Sequence, residues 1–218
     1  MKPPSRSLRL AVALLLGASA GRADAAARLY DLDAAHSRIV IHVRKAGAMS
    51  SMLHDHAFVP QRWHGEVSFD PDALSTTHGE VVVDAASLRD EEPALSAADR
   101  AKVEEQARGA DVLDAAKYPE VRLEVTSVEP GGPAQDGGST PVTLVGTFHL
   151  HGRTSPVRIP LLARWSAEGF EARGQARFRQ TDFGIRPLSK LLGAIAVKDD
   201  LVLELDVRGD ARQAQPPP

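Results

Sequence analysis

The chain has 218 residues, of which 43% are hydrophobic and 25% are charged, and its formal net charge at pH 7 is −3. These proportions are typical of a globular domain, and the length is compatible with a single barrel or sandwich. The charge disfavours a nucleic-acid partner, because phosphate binding depends on an excess of clustered Lys and Arg. The sequence contains no cysteine, so a folded domain must be held by its core rather than by disulfides.

Residues 1–25 have the composition of a secretory signal peptide. The basic residues Lys2, Arg6 and Arg9 precede an apolar run, and small residues follow it in an A-x-A-like pattern that ends at Ala25. The run is shorter than the stretch of about 20 apolar residues that spans a membrane. We therefore predict an exported protein, cleaved near Ala25 and without a transmembrane segment in its mature form. The alternative is a retained N-terminal anchor.

Apolar and polar residues alternate along most of the remaining chain, and this pattern predicts β-strands. The segments with this pattern are residues 30–33, 38–45, 63–69, 79–86, 121–126, 142–160, 170–179 and 201–208. Each is apolar on one side only, whereas the strands of a parallel α/β sheet are apolar on both faces. We therefore predict an all-β fold, a closed antiparallel β-barrel of about eight strands. Its domain spans residues 26–209, and residues 210–218 are predicted to be a disordered tail.

The clearest hairpin lies in residues 142–160, where two alternating strands flank a turn. The turn is predicted at residues 152–156, because Gly152 can adopt positive φ and Pro156 lacks an N–H group. Pro156 is expected to interrupt the pairing of the two strands at this point.

A change of pattern after residue 95 predicts one helix. Ser96 is a candidate N-cap, Asp99 lies in the first turn, and Gly109 ends the segment. Its apolar positions are few, so the helix is expected on the surface or over an opening of the barrel. A second, short helical segment is predicted at residues 111–118, ended by Pro119.

Small side chains on the predicted inward faces suggest that the barrel is hollow. These positions are Gly146, Ala172, Gly174 and Ala176, and small inward residues leave a lumen where large ones would fill it. An elongated apolar cavity follows as a hypothesis, and a solid core is the alternative. On this hypothesis, Gly174→Phe should block a ligand while preserving the fold.

Five segments occur in the chain in the order AHSRIVIHV, GEVSFDP, VLDAAKYPEVRLE, LVGTFHLHGRTSPVRIP and RQTDFGI. Together they resemble the YceI-like family, from about Tyr30 to Val207. The resemblance implies a periplasmic, lipocalin-like barrel that binds or transports a long-chain polyisoprenoid lipid, such as a quinone or a polyprenyl carrier, and that needs no other cofactor. The ligand-lining residues that it implies are Ile39, Ile41, Val43, Val67, Phe69, Val125, Phe148, Leu150, Ile159, Phe178 and Phe183.

Histidine pairs support an alternative, a periplasmic metal-binding protein. In each of the pairs His54/His56 and His149/His151, two residues of a strand would direct both rings to one face, and imidazole binds zinc or copper. His149 and His151 are expected outside the lumen, with His151 bonded to backbone. His54 and His56 are therefore the candidate metal ligands.

Motifs of the common enzyme classes are missing from the predicted mature chain. The one G-x-S-x-G match, at residues 17–21, lies within the predicted signal peptide, and the sequence has no cysteine nucleophile and no glycine-rich phosphate loop. We therefore expect a binding protein rather than an enzyme. A ligandless stress-response protein is a third alternative. The sequence is compatible with a homodimer as well as with a monomer.

Overall fold

A computed structural model describes residues 27–212 and contains one continuous antiparallel sheet. The predicted signal peptide and residues 213–218 of the predicted tail lie outside the described residues. The strands are β1 (Arg28–Leu32), β2 (Arg38–Ala46), β3 (His56–Pro60), β4 (Trp63–Phe69), β5 (His78–Asp84), β6 (Leu88–Asp90), β7 (Glu120–Pro130), β8 (Thr140–Leu150), β9 (Arg153–Trp165), β10 (Gly169–Arg179), β11 (Ser189–Lys190) and β12 (Ile195–Ala211). The α-helix α1 spans Ala97–Arg108.

Eight of the strands close into a barrel in the order β1-β4-β5-β7-β8-β9-β10-β12, and β12 pairs back with β1. The predicted closed antiparallel barrel of about eight strands is therefore confirmed. Strands β2, β3 and β6 continue from β12 outside this ring, and β11 pairs with the start of β12. Closure gives each ring strand a partner on both sides, so that fewer backbone groups are left at an open edge.

The 17-residue strand β12 holds the seam of the barrel together. Its earlier part pairs with β2, and its last residues, 209–211, pair with Leu32, Asp31 and Tyr30 of β1. β1 and β2 therefore lie end to end along one edge of β12. Strand β12 runs to Ala211, two residues beyond the predicted limit of the domain at residue 209, because these residues take part in the seam.

The hairpin of β8 and β9 has a tighter turn than the sequence predicted. Only His151 and Gly152 form it, with φ angles of 52° and 70°, and such left-handed pairs match the twist of the strands that they join. Pairing resumes at Arg153 and includes Pro156, opposite Thr147, so the predicted interruption at residues 152–156 is wrong. The N–H groups of a strand face its two neighbours alternately, and position 156 faces away from β8.

The contact between β9 and β10 is shorter than the strands themselves. The two strands pair along residues 161–165 and 170–174. Pro160 is four residues after Pro156, so both positions face the same neighbouring strand, β10. Because proline has no N–H group, β9 lacks a hydrogen-bond donor toward β10 at both positions. Beyond the paired region, the 3-10 turn Gln180–Phe183 contacts both strands.

Helix α1 has the predicted limits, with the Ser96 hydroxyl accepting the Asp99 amide at 3.1 Å and Gly109 at the C-terminus. It contains no buried residue, and polar contacts attach it to β6. Arg100 donates to the carbonyl oxygens of Asp90 and Glu92.

The predicted short helical segment at residues 111–118 is wrong, because hydrogen-bonded turns occupy it. Asp114 has a φ angle of 46° there, and an α-helix cannot continue through a left-handed residue. Within residues 27–212, no helix has the length and the apolar composition that crossing a bilayer requires.

Candidate functional site

The barrel encloses an apolar cavity of about 250 Å³, well over ten times the ~10–15 Å³ that one buried water needs. All eight ring strands contribute to its wall, and thirty-three of the 35 wall residues are apolar. On β12 the wall runs from Leu201 to Val207, a distance of about 20 Å at ~3.3 Å per strand residue. The structure thus contains the elongated cavity that the small inward residues suggested.

Nine of the eleven residues predicted to line the lumen are on the cavity wall. They are Ile39, Ile41, Val43, Val67, Phe69, Val125, Phe148, Leu150 and Phe178. Their contact with a ligand stays a prediction.

The other two predicted residues, Ile159 and Phe183, are completely buried without lining the cavity. Ile159 is covered by its neighbours in the barrel core. The Phe183 ring packs edge-on against Phe178, with 5.8 Å between the ring centroids. Both side chains therefore support the wall from behind.

Two kinds of wall residue were missing from the prediction. Leu123, Leu203 and Leu205 lie on inward faces of predicted strands, so the alternation could have identified them. Ala107 of α1 and Leu113 of the following turns reach the cavity from outside the sheet. No periodic signal marks these two positions, because α1 has no apolar face.

The glycines of the predicted lumen have a different function. An added Cβ would lie 2.2 Å from the Glu124 carbonyl oxygen at Gly146, and 2.1 Å from the Pro160 carbonyl oxygen at Gly174. Both glycines therefore allow neighbouring strands to approach closely. The prediction that Gly174→Phe preserves the fold is wrong, because its side chain would collide with β9. Ala172, which is on the wall, is the better position for a blocking substitution.

Thr77 and Gln180 are the two polar side chains of the wall. Gln180 donates from Nε2 to the carbonyl oxygen of Lys198 at 2.8 Å. Thr77 is 2% exposed, and its Oγ1 is the one buried side-chain N or O atom of residues 27–212 without a hydrogen-bond partner. Apart from the hydrogen-bonded amide of Gln180, the wall thus presents one polar group, the unpaired Thr77 hydroxyl, on an apolar surface.

Packed clusters flank the cavity at its two ends. Near α1, Leu150, Phe183 and Ile185 pack with Ala85 and Leu113. At the opposite end, four aromatic rings meet edge-on, with centroid distances of 5.3–6.0 Å. These are the rings of Tyr30, Phe69, Trp165 and Phe170.

Charged groups pair on the outer surface of the barrel. Arg158 binds Glu129 with its two terminal nitrogens, and Arg164 lies 2.5 Å from Glu171. In each pair, hydrogen bonding by the guanidinium lowers the pKa of the carboxyl group. These charges contribute nothing to the wall, whose residues are all uncharged.

The geometry around the two candidate metal ligands does not form a metal site. His56 is the first residue of β3, and its Nδ1 lies 2.6 Å from the carboxylate of the fully buried Asp90. His54 is exposed on the preceding segment. Within residues 27–212, no three His, Cys, Asp or Glu side chains come together as a metal site would require. The candidate ligands His54 and His56 thus gain no support from the geometry.

The second histidine pair also lies away from the lumen. His149 faces Glu124 at 3.5 Å on the outer surface. His151 pairs through Nδ1 with the carbonyl oxygen of Phe183 at 3.2 Å, so its partner is backbone, on the 3-10 turn Gln180–Phe183 rather than in the hairpin turn before Gly152.

Comparison with known proteins assigns this architecture to a family. The family model described as the YceI-like domain matches residues 30–208. A Vibrio campbellii protein named UPF0312 protein is 28% identical in an alignment of 211 residues, which covers 93% of this chain and 94% of that protein.

Solved structures have the same fold at lower identity. BcnA of Burkholderia cenocepacia has a TM-score of 0.65 and 16% identity, with 81% of this chain and 98% of that chain covered. A polyisoprenoid binding domain from Saccharophagus degradans has a TM-score of 0.60 and 14% identity, with 84% and 98% covered. These similarities show the fold, and the family match spans the barrel from Tyr30 on β1 to Arg208 on β12. The chain belongs to the YceI-like domain family.

Proposed function

We propose that this protein binds a long-chain polyisoprenoid lipid, such as a quinone or a polyprenyl carrier, in the barrel cavity. The observation that carries the proposal is the elongated cavity whose wall has no charged side chain. Membership of the YceI-like family and the likeness to a domain named for polyisoprenoid binding support it. The protein would sequester or transport this lipid without chemical change.

The free energy of burial favours an apolar chain over a polar ligand. Each CH₂ group buried contributes about 0.8 kcal/mol, and micromolar affinity corresponds to about 8 kcal/mol. Burial of about ten CH₂ groups therefore provides the free energy of micromolar binding if the cost of association is left aside. A longer apolar chain buries more groups and can offset that cost. A polar group buried without a partner costs about 1–3 kcal/mol in proteins, and Thr77 is the one wall residue with an unpaired hydroxyl.

The substitution Ala172→Phe tests the proposal directly, because its ring would occupy the cavity. Isoprenoid recovered by organic extraction and mass spectrometry should fall about tenfold or more, a loss equivalent to ~1.4 kcal/mol per factor of ten. Arg177→Phe is the matched control, since Arg177 is exposed on the same strand. Circular dichroism and thermal unfolding establish that both variants fold. Wild-type protein without isoprenoid, or equal lipid content in the two folded variants, would contradict the proposal.

The proposal includes the periplasm as the site of action. Its basis is the composition of residues 1–25. Cell fractionation should then recover, in the periplasmic fraction, a chain whose N-terminus lies close to residue 26. A chain that keeps residues 1–25 would contradict this part of the proposal.

A further inference from the structure

Two neighbouring turns expose large apolar side chains at one end of the barrel. Met49 and Met52 border the turn between β2 and β3, with exposed fractions of 37% and 66%. Leu191 and Leu192 lie between β11 and β12, with exposed fractions of 66% and 109%. We call these four side chains the apolar tip.

Backbone contacts hold the two turns together. The amide of Met49 donates to the carbonyl oxygen of Ala194 at 2.8 Å. At Gly47, whose φ is 92°, an added Cβ would lie 2.4 Å from the carbonyl oxygen of Gly193. The close approach thus requires glycine, and the apolar tip forms one surface rather than two separate loops.

The leucines of the tip have an unfavourable backbone conformation. The φ angles of Leu191 and Leu192 are 51° and 57°, in the left-handed region that non-glycine residues other than Asn and Asp rarely adopt. Their exposure means that packing within the barrel does not compensate for this conformation. Such strain is concentrated at functional positions in proteins.

Lys and Arg residues flank the apolar tip in the sequence although the chain as a whole is acidic. Residues 44–55 and 186–198 carry five Lys and Arg residues and a single acidic one, Asp55, whose carboxylate accepts the Lys45 amide at 2.8 Å. Of the two acidic residues that follow, Asp199 accepts the Thr181 amide at 2.9 Å and Asp200 lies 3.8 Å from Arg179. The basic residues are Arg44, Lys45, Arg186, Lys190 and Lys198. Exposed apolar side chains flanked by basic residues match an anionic bilayer. The acyl chains of the bilayer accommodate the apolar side chains, and its anionic headgroups attract the basic residues. A second copy of the chain would present the same positive charge to this surface.

We propose that the apolar tip docks this protein on anionic lipid bilayers, with Leu191 and Leu192 inserted among the acyl chains. Docking would place the α1 end of the cavity near the membrane, since Ile185 belongs both to the cavity wall and to the segment that leads to the tip. The proposal is independent of what the cavity holds, because bilayer binding requires only the surface.

The test uses the chain without residues 1–25 and sedimentation with vesicles. Vesicles of phosphatidylglycerol and phosphatidylcholine should retain the protein, and binding should weaken as salt shortens the screening length. The double substitution Leu191→Asn/Leu192→Asn should reduce partitioning about tenfold or more. Asn tolerates the left-handed conformation, so the variant removes apolar surface without changing the turn. Leu162→Asn is the control, because Leu162 is 44% exposed on β9, away from the tip.

Several results would overturn the proposal. They are equal partitioning of the tip variant and wild type, equal binding to pure phosphatidylcholine vesicles, and no binding to the anionic vesicles. Light scattering that shows a dimer lost only in the tip variant would assign the surface to a second copy instead. Lipid extraction reports separately on the cavity, so failure of either proposal can be recognised without the other.

Discussion

At the scale of single residues, Thr77 is the position where the apolar wall and the hydrogen-bonding rules conflict. Its hydroxyl is buried beside the cavity without a partner. A buried polar group without a hydrogen bond costs about 1–3 kcal/mol. A structural hydroxyl would normally have found a partner among the surrounding backbone groups, so the residue departs from what stability alone favours.

Replacing Thr77 by valine should raise the free energy of unfolding by about 1 kcal/mol, because it removes the unpaired hydroxyl and keeps the branched shape. Urea unfolding of the lipid-free protein measures the change. The neighbouring Thr76→Val is the control. The Thr76 hydroxyl donates to the Ala73 carbonyl oxygen at 2.8 Å, and its loss should leave stability unchanged or lower it. A Thr77→Val variant that unfolds more easily than wild type would contradict this account.

Among the elements, β12 determines whether the barrel is closed. Its last residues pair with β1, and Arg212 just beyond them contacts Asp31 and lies 3.0 Å from Glu66 on β4. Hydrogen bonding by Arg212 also lowers the pKa of Asp31. The seam is thus a row of short contacts at the C-terminal end of the described chain.

A chain that ends at Arg208 should be less stable by about 2 kcal/mol or more, because it loses several hydrogen bonds of ~0.5–1.5 kcal/mol each. A chain that ends at Arg212 keeps every described seam contact. It should match the full-length mature protein within ~0.5 kcal/mol. Urea unfolding of the two truncated chains gives the comparison. Equal stability of both would mean that the seam does not hold the barrel closed.

Local sequence patterns predict which elements form better than they predict where turns and strand pairing begin and end. Alternation predicts the long strands, and the capping residues Ser96 and Gly109 predict α1, because these signals act within a few residues. The consequence of Pro156 depends on which neighbour its missing N–H faces, and a single strand does not contain that information. The turns at residues 111–118 likewise depend on Asp114 adopting a left-handed conformation.

For the whole molecule, local sequence patterns predict the fold, whereas the exact residues of the cavity wall depend on packing between distant parts of the chain. Nine of the eleven lining residues that the family resemblance implied are on the cavity wall, since they occupy inward positions of strands. The sequence could not separate Ile159, which its neighbours cover completely, from residues that border open space. The alternation also misjudged Gly174, where the small side chain serves strand contact rather than cavity volume. Three-dimensional packing decides both cases.

Native mass spectrometry of the mature protein mixed with a polyprenol tests the central claim most directly. We predict one bound lipid per chain, retained in Arg177→Phe and lost in Ala172→Phe. A spectrum that shows only the lipid-free mass for wild-type protein, or an equal bound fraction in the two folded variants, would contradict the account of the barrel as a lipid-binding cavity.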